Sequence, residues 1–265
     1  MRRRVVSLAL ITAISGCAVL KNLASGPGHT EHRIATYNIR HGQGMDDVVA
    51  LERTAATLRR LDAEIIGLEE VDENVRRSGS IDEAATLGTL LGMEHAFAEF
   101  MDYDGGRYGL ALLSRHPIVA TERVQLPDGP EEPRAALRAT IVLPGNDSID
   151  VVVVHFDWLA NDAARYRQAA TLIGTLARST RPWIVLGDFN DTPGSRTLRL
   201  FGDLVEPAPK LADSTLTFSS TNPTKEIDYI FGSRGDWQVD WVTAISEPMA
   251  SDHRPVVAQL RRKER

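Results

Sequence analysis

Four short apolar runs in this chain stop abruptly at polar side chains, and a fifth starts directly after a polar cluster. Ile34-Ala35-Thr36-Tyr37 ends at Asn38, and Ile65-Ile66-Gly67-Leu68 ends at Glu69-Glu70. Val151-Val152-Val153-Val154 ends at His155, and Trp183-Ile184-Val185-Leu186-Gly187 ends at Asp188-Phe189-Asn190. Near the C-terminus, Ser251-Asp252-His253-Arg254-Pro255 stands immediately before Val256-Val257-Ala258-Gln259-Leu260. Apolar runs of about five residues bounded this way read as buried strands. Four consecutive valines mean burial on both faces of a sheet. Strands of one sheet system that end in carboxylates, amides and imidazoles can converge those ends on one site.

The remaining segments mix helices with further strands. Asp46 or Asp47 is placed to cap a helix through about Arg60, with Val48, Leu51, Ala55 and Leu58 on one face. A short helix is expected near 82–91, and a third from Asn161 or Asp162 to about Arg178. Thr192-Pro193 reads as the start of a short fourth helix, since proline is tolerated at the first helical position. Further strands are expected near 95–99, 108–114, 137–143, 226–231 and 237–245. Strands outnumber helices, and hairpin-like neighbours alternate with helical crossovers. That pattern favours an α/β fold of two packed sheets flanked by helices over one doubly wound sheet. A chain of 265 residues, 43% hydrophobic, suits one large domain.

The N-terminus reads as an export signal. Arg2-Arg3-Arg4 precedes an uncharged apolar stretch, Val5 to Ile14, and then Ser15-Gly16-Cys17. The stretch is short for a membrane span, which needs about 20 residues. It resembles a bacterial lipoprotein signal, in which the cysteine becomes the lipidated first residue. The expected division is a signal peptide at 1–16, a tether at 17–31 and a domain at 32–265. The expected location is the bacterial cell envelope, with a lipid anchor on Cys17 as the membrane contact. No other cysteine remains for a disulfide. Net charge is −6, and loss of the three arginines leaves about −9. An acidic chain argues against an extended nucleic-acid track, which needs clustered Lys and Arg.

Each polar cluster has a chemical and a plainer reading. Asp188 and Asn190 are two apart and can aim together at one water or phosphate oxygen; they also suit a strand-ending turn. One of Glu69 and Glu70 must face inward or lie at a strand edge, where a carboxylate suits Mg²⁺ or Mn²⁺. A solvated acidic turn is the alternative. By the same spacing Asn38 and Arg40 share a face; the amide can touch a metal and the guanidinium a phosphate. His155 at a strand exit is a general acid or base, or a structural hydrogen-bonder. Asp228 in Ile227-Asp228-Tyr229-Ile230 needs a partner if buried, and His253 is one choice, an arginine another. Arg134 holds a phosphate or pairs with a neighbouring glutamate. His29, His32, His95 and His116 read as ordinary surface or loop residues. No His-x-x-x-His or paired-cysteine spacing marks a zinc site. Gly-x-Ser-x-Gly, Walker and dinucleotide fingerprints are absent.

Taken in chain order, these segments resemble the endonuclease/exonuclease/phosphatase superfamily. The resemblance rests on Thr36-Tyr37-Asn38-Ile39-Arg40, Leu68-Glu69-Glu70-Val71, Tyr108-Gly109, Val154-His155-Phe156-Asp157, Gly187-Asp188-Phe189-Asn190, Ile227-Asp228-Tyr229 and Ser251-Asp252-His253-Arg254-Pro255. It spans about residues 33 to 260 and implies a four-layer α/β sandwich that hydrolyses phosphoesters with a divalent metal. By that resemblance Glu70 is the principal metal ligand, assisted by Asn38 and Asp252. Asp188 orients or deprotonates the attacking water, and Asn190 binds phosphate. His253 acts as base or binds the phosphate with Asp228 behind it, and His155 assists the leaving group. Glu69 replaces a glutamine common in relatives, and Leu110 an asparagine. The expected substrate is a small phosphoester or phospholipid head group. A nuclease and a non-catalytic binding protein are the rivals.

Overall fold

The computed structural model describes residues 31–211 and 215–263, so the signal segment, Cys17 and all of the tether but Glu31 lie outside the described residues. Eleven strands form two mixed sheets. The first sheet contains β1 (Glu31–Asn38), β2 (Ile65–Glu73), β3 (Glu94–Tyr103), β4 (Gly106–Ser114), β10 (Trp237–Ala244) and β11 (Val256–Arg262), in the order β10-β11-β1-β2-β4-β3. The second contains β5 (Ile118–Gln125), β6 (Ala135–Val142), β7 (Ser148–His155), β8 (Trp183–Asp188) and β9 (Asp228–Gly232), in chain order. Within each sheet one adjacent pair is parallel, β1–β2 and β7–β8.

Period-two alternation explains the layers. In the valine run, Val151 and Val153 point into the core between the sheets, with Ile34, Ile65, Leu112 and Leu186. Val152 and Val154 point outward under α3 (Ala163–Leu176), where they meet Ala169, Leu172 and Leu176. Each such buried side chain contributes about 1.5–3 kcal/mol. On the far side, α1 (Leu51–Leu61) and α2 (Glu83–Leu91) cover Tyr37, Ile66 and Leu68. The result is the expected four-layer sandwich. The sheets approach closely at Gly67, where a Cβ would lie 2.0 Å from Leu186 Cδ1.

Several local expectations change. Helix α1 begins at Leu51, with Ala50 extended before it and no side-chain cap. Asp46 instead accepts from Val48 N and pairs with Arg53, and Val48 is 53% exposed. Thr192 starts a turn; the short α4 (Arg196–Arg199) is capped by Ser195 Oγ, which accepts from Leu198 N. Strand β5 was not expected. It is an edge strand, exposed along most of its length, so its sequence Ile-Val-Ala-Thr-Glu-Arg-Val-Gln carries little apolar alternation.

Candidate active site

Strand register builds the site. The parallel β7–β8 pairing sets His155 opposite Asp188, and the antiparallel β8–β9 pairing sets Asp188 opposite Asp228. Residues directly opposite share a face. That face is the inner one, because Val153, Leu186 and Ile230, each two residues away, all lie in the inter-sheet core. Across the gap, Asn38 of β1 is opposite Glu69 of β2, also on the inner face, since Ile34 and Ile65 face inward. The two rows lie where core side chains give way to polar ones.

A bulge makes room for a second glutamate. The β2–β4 register shifts between Glu69 and Val71, and Glu70 takes φ 58°. Both glutamates therefore reach the site while Val71 stays in the outer core. Thr36 Oγ1 donates to Glu69 Oε1 at 2.8 Å, and Glu69 Oε2 has no partner among the described residues. Asn38 Nδ2 donates to Glu70 Oε1 at 3.0 Å and to Asp188 Oδ2 at 3.3 Å.

Asp188 is the hub. Its Oδ2 lies 3.5 Å from His155 Nε2 and 3.6 Å from His253 Nε2. Its Oδ1 accepts from Asn190 N at 2.8 Å. Phe189 turns into the core under α3, and Asn190 lies beyond the strand in a left-handed conformation, φ 51°. His253 Nδ1 lies 3.0 Å from Asp228 Oδ2. The loop that brings His253 in is pinned to β1: Ser251 Oγ donates to Asn38 O at 2.7 Å and accepts from His253 N at 3.3 Å.

Burial and mutual repulsion set the charges. Burial, then the charge of Asp228, pushes Asp188 up to about 7. Burial raises Glu69 and Glu70, with Asp228 adding to the first and Asp252 to the second. Burial opposes a charge on His253, but Asp228 and Asp188 outweigh it and hold the ring protonated well above the ordinary imidazole range. Burial, Arg134 and His253 drive His155 the other way, so it stays neutral. Two imidazoles on one carboxylate thus carry different charge.

A cavity of about 580 Å³ opens over this cluster, lined by Glu70, Arg134, His155, Asp188, Asn190, Asp252 and His253. Asp228 stands behind His253. Arg134 is buried, bonded to Glu132 Oε2 at 2.6 Å and stacked 4.9 Å from Phe100, with its Nε unpartnered among the described residues. Arg134 therefore pairs with a glutamate, as the plainer reading has it, and also lines the cavity. Arg40 is a correction. Strand alternation ends at Asn38; Arg40 enters a 3-10 turn at φ 48° and reaches Gly44 O and Asp47, away from the cavity lining. Asn38 stands between two acids. Its Oδ1 accepts from Arg40 N, and its Nδ2 donates to both Glu70 and Asp188, which ties the two carboxylates together.

The donor set suits a hard divalent cation. Glu70, Asp188 and Asp252 supply carboxylate oxygens, and Glu69 Oε2 is a further acceptor nearby without a partner among the described residues. At this site the donor atoms of Asp188, Asp228 and His253 lie within 4.8 Å of one another. There, however, His253 Nδ1 is already committed to Asp228, so the free oxygens lie on the Glu70 side. Sequence reading missed Arg77, Tyr103, Trp158 and Lys225 on the cavity wall. Arg77, Tyr103 and Lys225 fall in segments 72–80, 100–107 and 213–225, which the sequence offers as specificity loops; Trp158 had no such signal.

Buried acids and imidazoles joined across two mixed sheets define a class of phosphoester hydrolases with a four-layer sandwich fold. Residues 35–253 match the Endonuclease/Exonuclease/phosphatase family, and the chain belongs to it. Among curated proteins it is similar to protein cwh43 of Schizosaccharomyces pombe, 29% identical over 168 residues, which is 61% of this chain but only 17% of that protein. A mannosyl-6-phosphatase of Bacteroides thetaiotaomicron has the same fold, with TM-score 0.70 and 19% identity over 86% of this chain and 99% of its own. An endonuclease/exonuclease/phosphatase of Bacteroides vulgatus aligns with TM-score 0.71 and 21% identity, over 87% and 98%.

Proposed function

We propose that this protein is a divalent-metal-dependent hydrolase of a small phosphoester or phospholipid head group at the bacterial cell envelope. One observation carries the reading: a single carboxylate, Asp188, lies between a protonated and a neutral imidazole, with Glu70 across the Asn38 amide from it. Glu70 and Asp252 would hold Mg²⁺ or Mn²⁺, which neutralises phosphate charge and polarises the phosphorus–oxygen bond when bound.

The chain's own groups divide the remaining work. Asp188 accepts a hydrogen bond or proton from the attacking water, for which a value near 7 is suited. His253, protonated and held by Asp228, donates to a phosphate oxygen as charge builds there. Asn190 and Arg134 grip the other oxygens. His155 enters neutral, so it accepts a hydrogen bond in the free protein; it protonates a leaving group only after substrate charge has raised it.

The envelope location rests on Arg2-Arg3-Arg4, the apolar stretch after it and Cys17. A small phosphoester is favoured over nucleic acid by the acidic charge and by the likeness to the mannosyl-6-phosphatase of Bacteroides thetaiotaomicron. The deciding experiment offers protein lacking residues 1–17 a bis-aryl phosphodiester, an aryl monoester, mannose 6-phosphate, sphingomyelin and duplex DNA, each with Mg²⁺, Mn²⁺ or chelator. Hydrolysis of a small ester that stops on chelation supports the reading. Preference for DNA would make it a nuclease, and no turnover on any substrate would leave a binding protein.

A further inference from the structure

Three residues remote in sequence, none in a zinc-type spacing, meet at the end of the first sheet opposite the catalytic residues. His32 lies near the start of β1, Glu64 directly precedes β2, and His116 follows β4. His32 Nδ1 is 2.5 Å from Glu64 Oε1, and His116 Nε2 is 2.8 Å from Glu64 Oε2. Donor atoms of all three lie within 4.8 Å of one another. Asn38 lies six residues along β1 from His32, roughly 20 Å. This group is therefore separate from the catalytic cleft.

We infer that His32, Glu64 and His116 form a second metal site, for Zn²⁺ or a similar imidazole-preferring cation. Two imidazoles and a carboxylate are a donor set that selects Zn²⁺ over Mg²⁺, with a fourth position left for water. Neutral imidazole and ionised carboxylate are also the forms a metal requires. The backbone holds each donor in place. Glu64 N donates to Arg33 O and Glu64 O accepts from Arg115 N, both at 2.8 Å. His116 is fixed by a reciprocal pair with Ser114, whose Oγ donates to His116 O at 2.8 Å and accepts from His116 N at 3.0 Å. His32, 2% exposed, is packed edge-on against Trp237 at 6.0 Å. These contacts preorganise the group on rigid elements. A bound ion would tie β1, β2 and the β4–β5 connection together across long chain loops.

The test uses metal-stripped protein with excess Mg²⁺ to occupy the catalytic side. Zn²⁺ titration should show one further equivalent, and Co²⁺ in its place should give the strong visible absorption of a nitrogen-ligated, low-coordinate ion. His116→Ala should weaken that equivalent at least about 10²-fold. So should His116→Gln, which keeps a hydrogen-bond donor toward Glu64 and hence the fold. Mg²⁺-supported hydrolysis should be unchanged in both. Wild-type protein that takes up no Zn²⁺ beside Mg²⁺, or variants that bind Zn²⁺ as wild type does, would overturn the inference.

Discussion

His253 Nδ1 and Asp228 Oδ2 lie 3.0 Å apart, and both side chains are buried. The pair fixes the imidazole so that its Nε2 faces Asp188, and it keeps the ring charged where burial alone would discharge it. Asp228→Asn keeps the shape but removes the charge that holds the proton. Turnover on the best aryl phosphoester should fall at least about 10²-fold with an unchanged far-ultraviolet circular dichroism spectrum. Turnover within a factor of three of wild type would show that the dyad is only structural.

Asp188→Asn and His253→Ala should each cost at least about 10²-fold in kcat. The double variant should lose much less than the product of the two, because the side chains touch and serve one transition state. Additive losses would place them in separate steps.

Arg134→Lys retains a charge but not the planar fork. Its guanidinium is buried beside Glu132 and over Phe100, so an ammonium cannot replace both contacts. KM should rise by about tenfold, with a smaller change in kcat. An unchanged KM would remove Arg134 from substrate binding.

Metal-stripped protein should lose stability as pH rises from 6.5 to 8.5. Asp188 is raised from 3.8 to about 7, Glu69 and Glu70 are raised from 4.5, and His253 is raised above 6.5. The folded chain thus binds more protons than the unfolded chain in this window, and stability falls with pH. His155 is lowered, so it acts in the opposite sense, but only below pH 6.5. Tm should drop by roughly 5 °C, and Mg²⁺ or Mn²⁺ should restore more of it at pH 8.5 than at pH 6.5. A flat Tm profile without metal would refute this charge assignment.

Gly187 has φ 139°, and a Cβ there would lie 1.9 Å from Val154 O, a backbone atom that cannot step aside. Gly187→Ala should cost about 3 kcal/mol or more, read as a lowered denaturation midpoint. Gly194→Ala, where nothing lies within 4 Å, serves as the control for positive φ alone.

Much of this molecule was legible in its sequence. Apolar runs marked the central strands, and the polar residues at their ends marked the site, because burial on both faces leaves a readable composition. Edge strand β5 was not legible, since an exposed edge needs no apolar alternation. The cap expected from Asp46 or Asp47 failed because Asp46 satisfies Val48 N and Arg53 instead.

What the sequence alone determined was a local matter: which runs are strands, and that Asp188, Asp228, His155 and His253 stand inside them or close to their ends. The tertiary structure decided which of these groups meet. A bulge at Glu70 brought two adjacent glutamates to one side, and a 3-10 turn carried Arg40 away from the direction its spacing implied. Register between strands distant in sequence set His155 and Asp228 beside Asp188, a loop pinned to β1 brought in His253, and the far end of the same sheet gathered His32, Glu64 and His116. The physical reason is that side-chain alternation is a short-range property of the backbone, whereas bulges, turns and cross-sheet meetings depend on how distant segments pack.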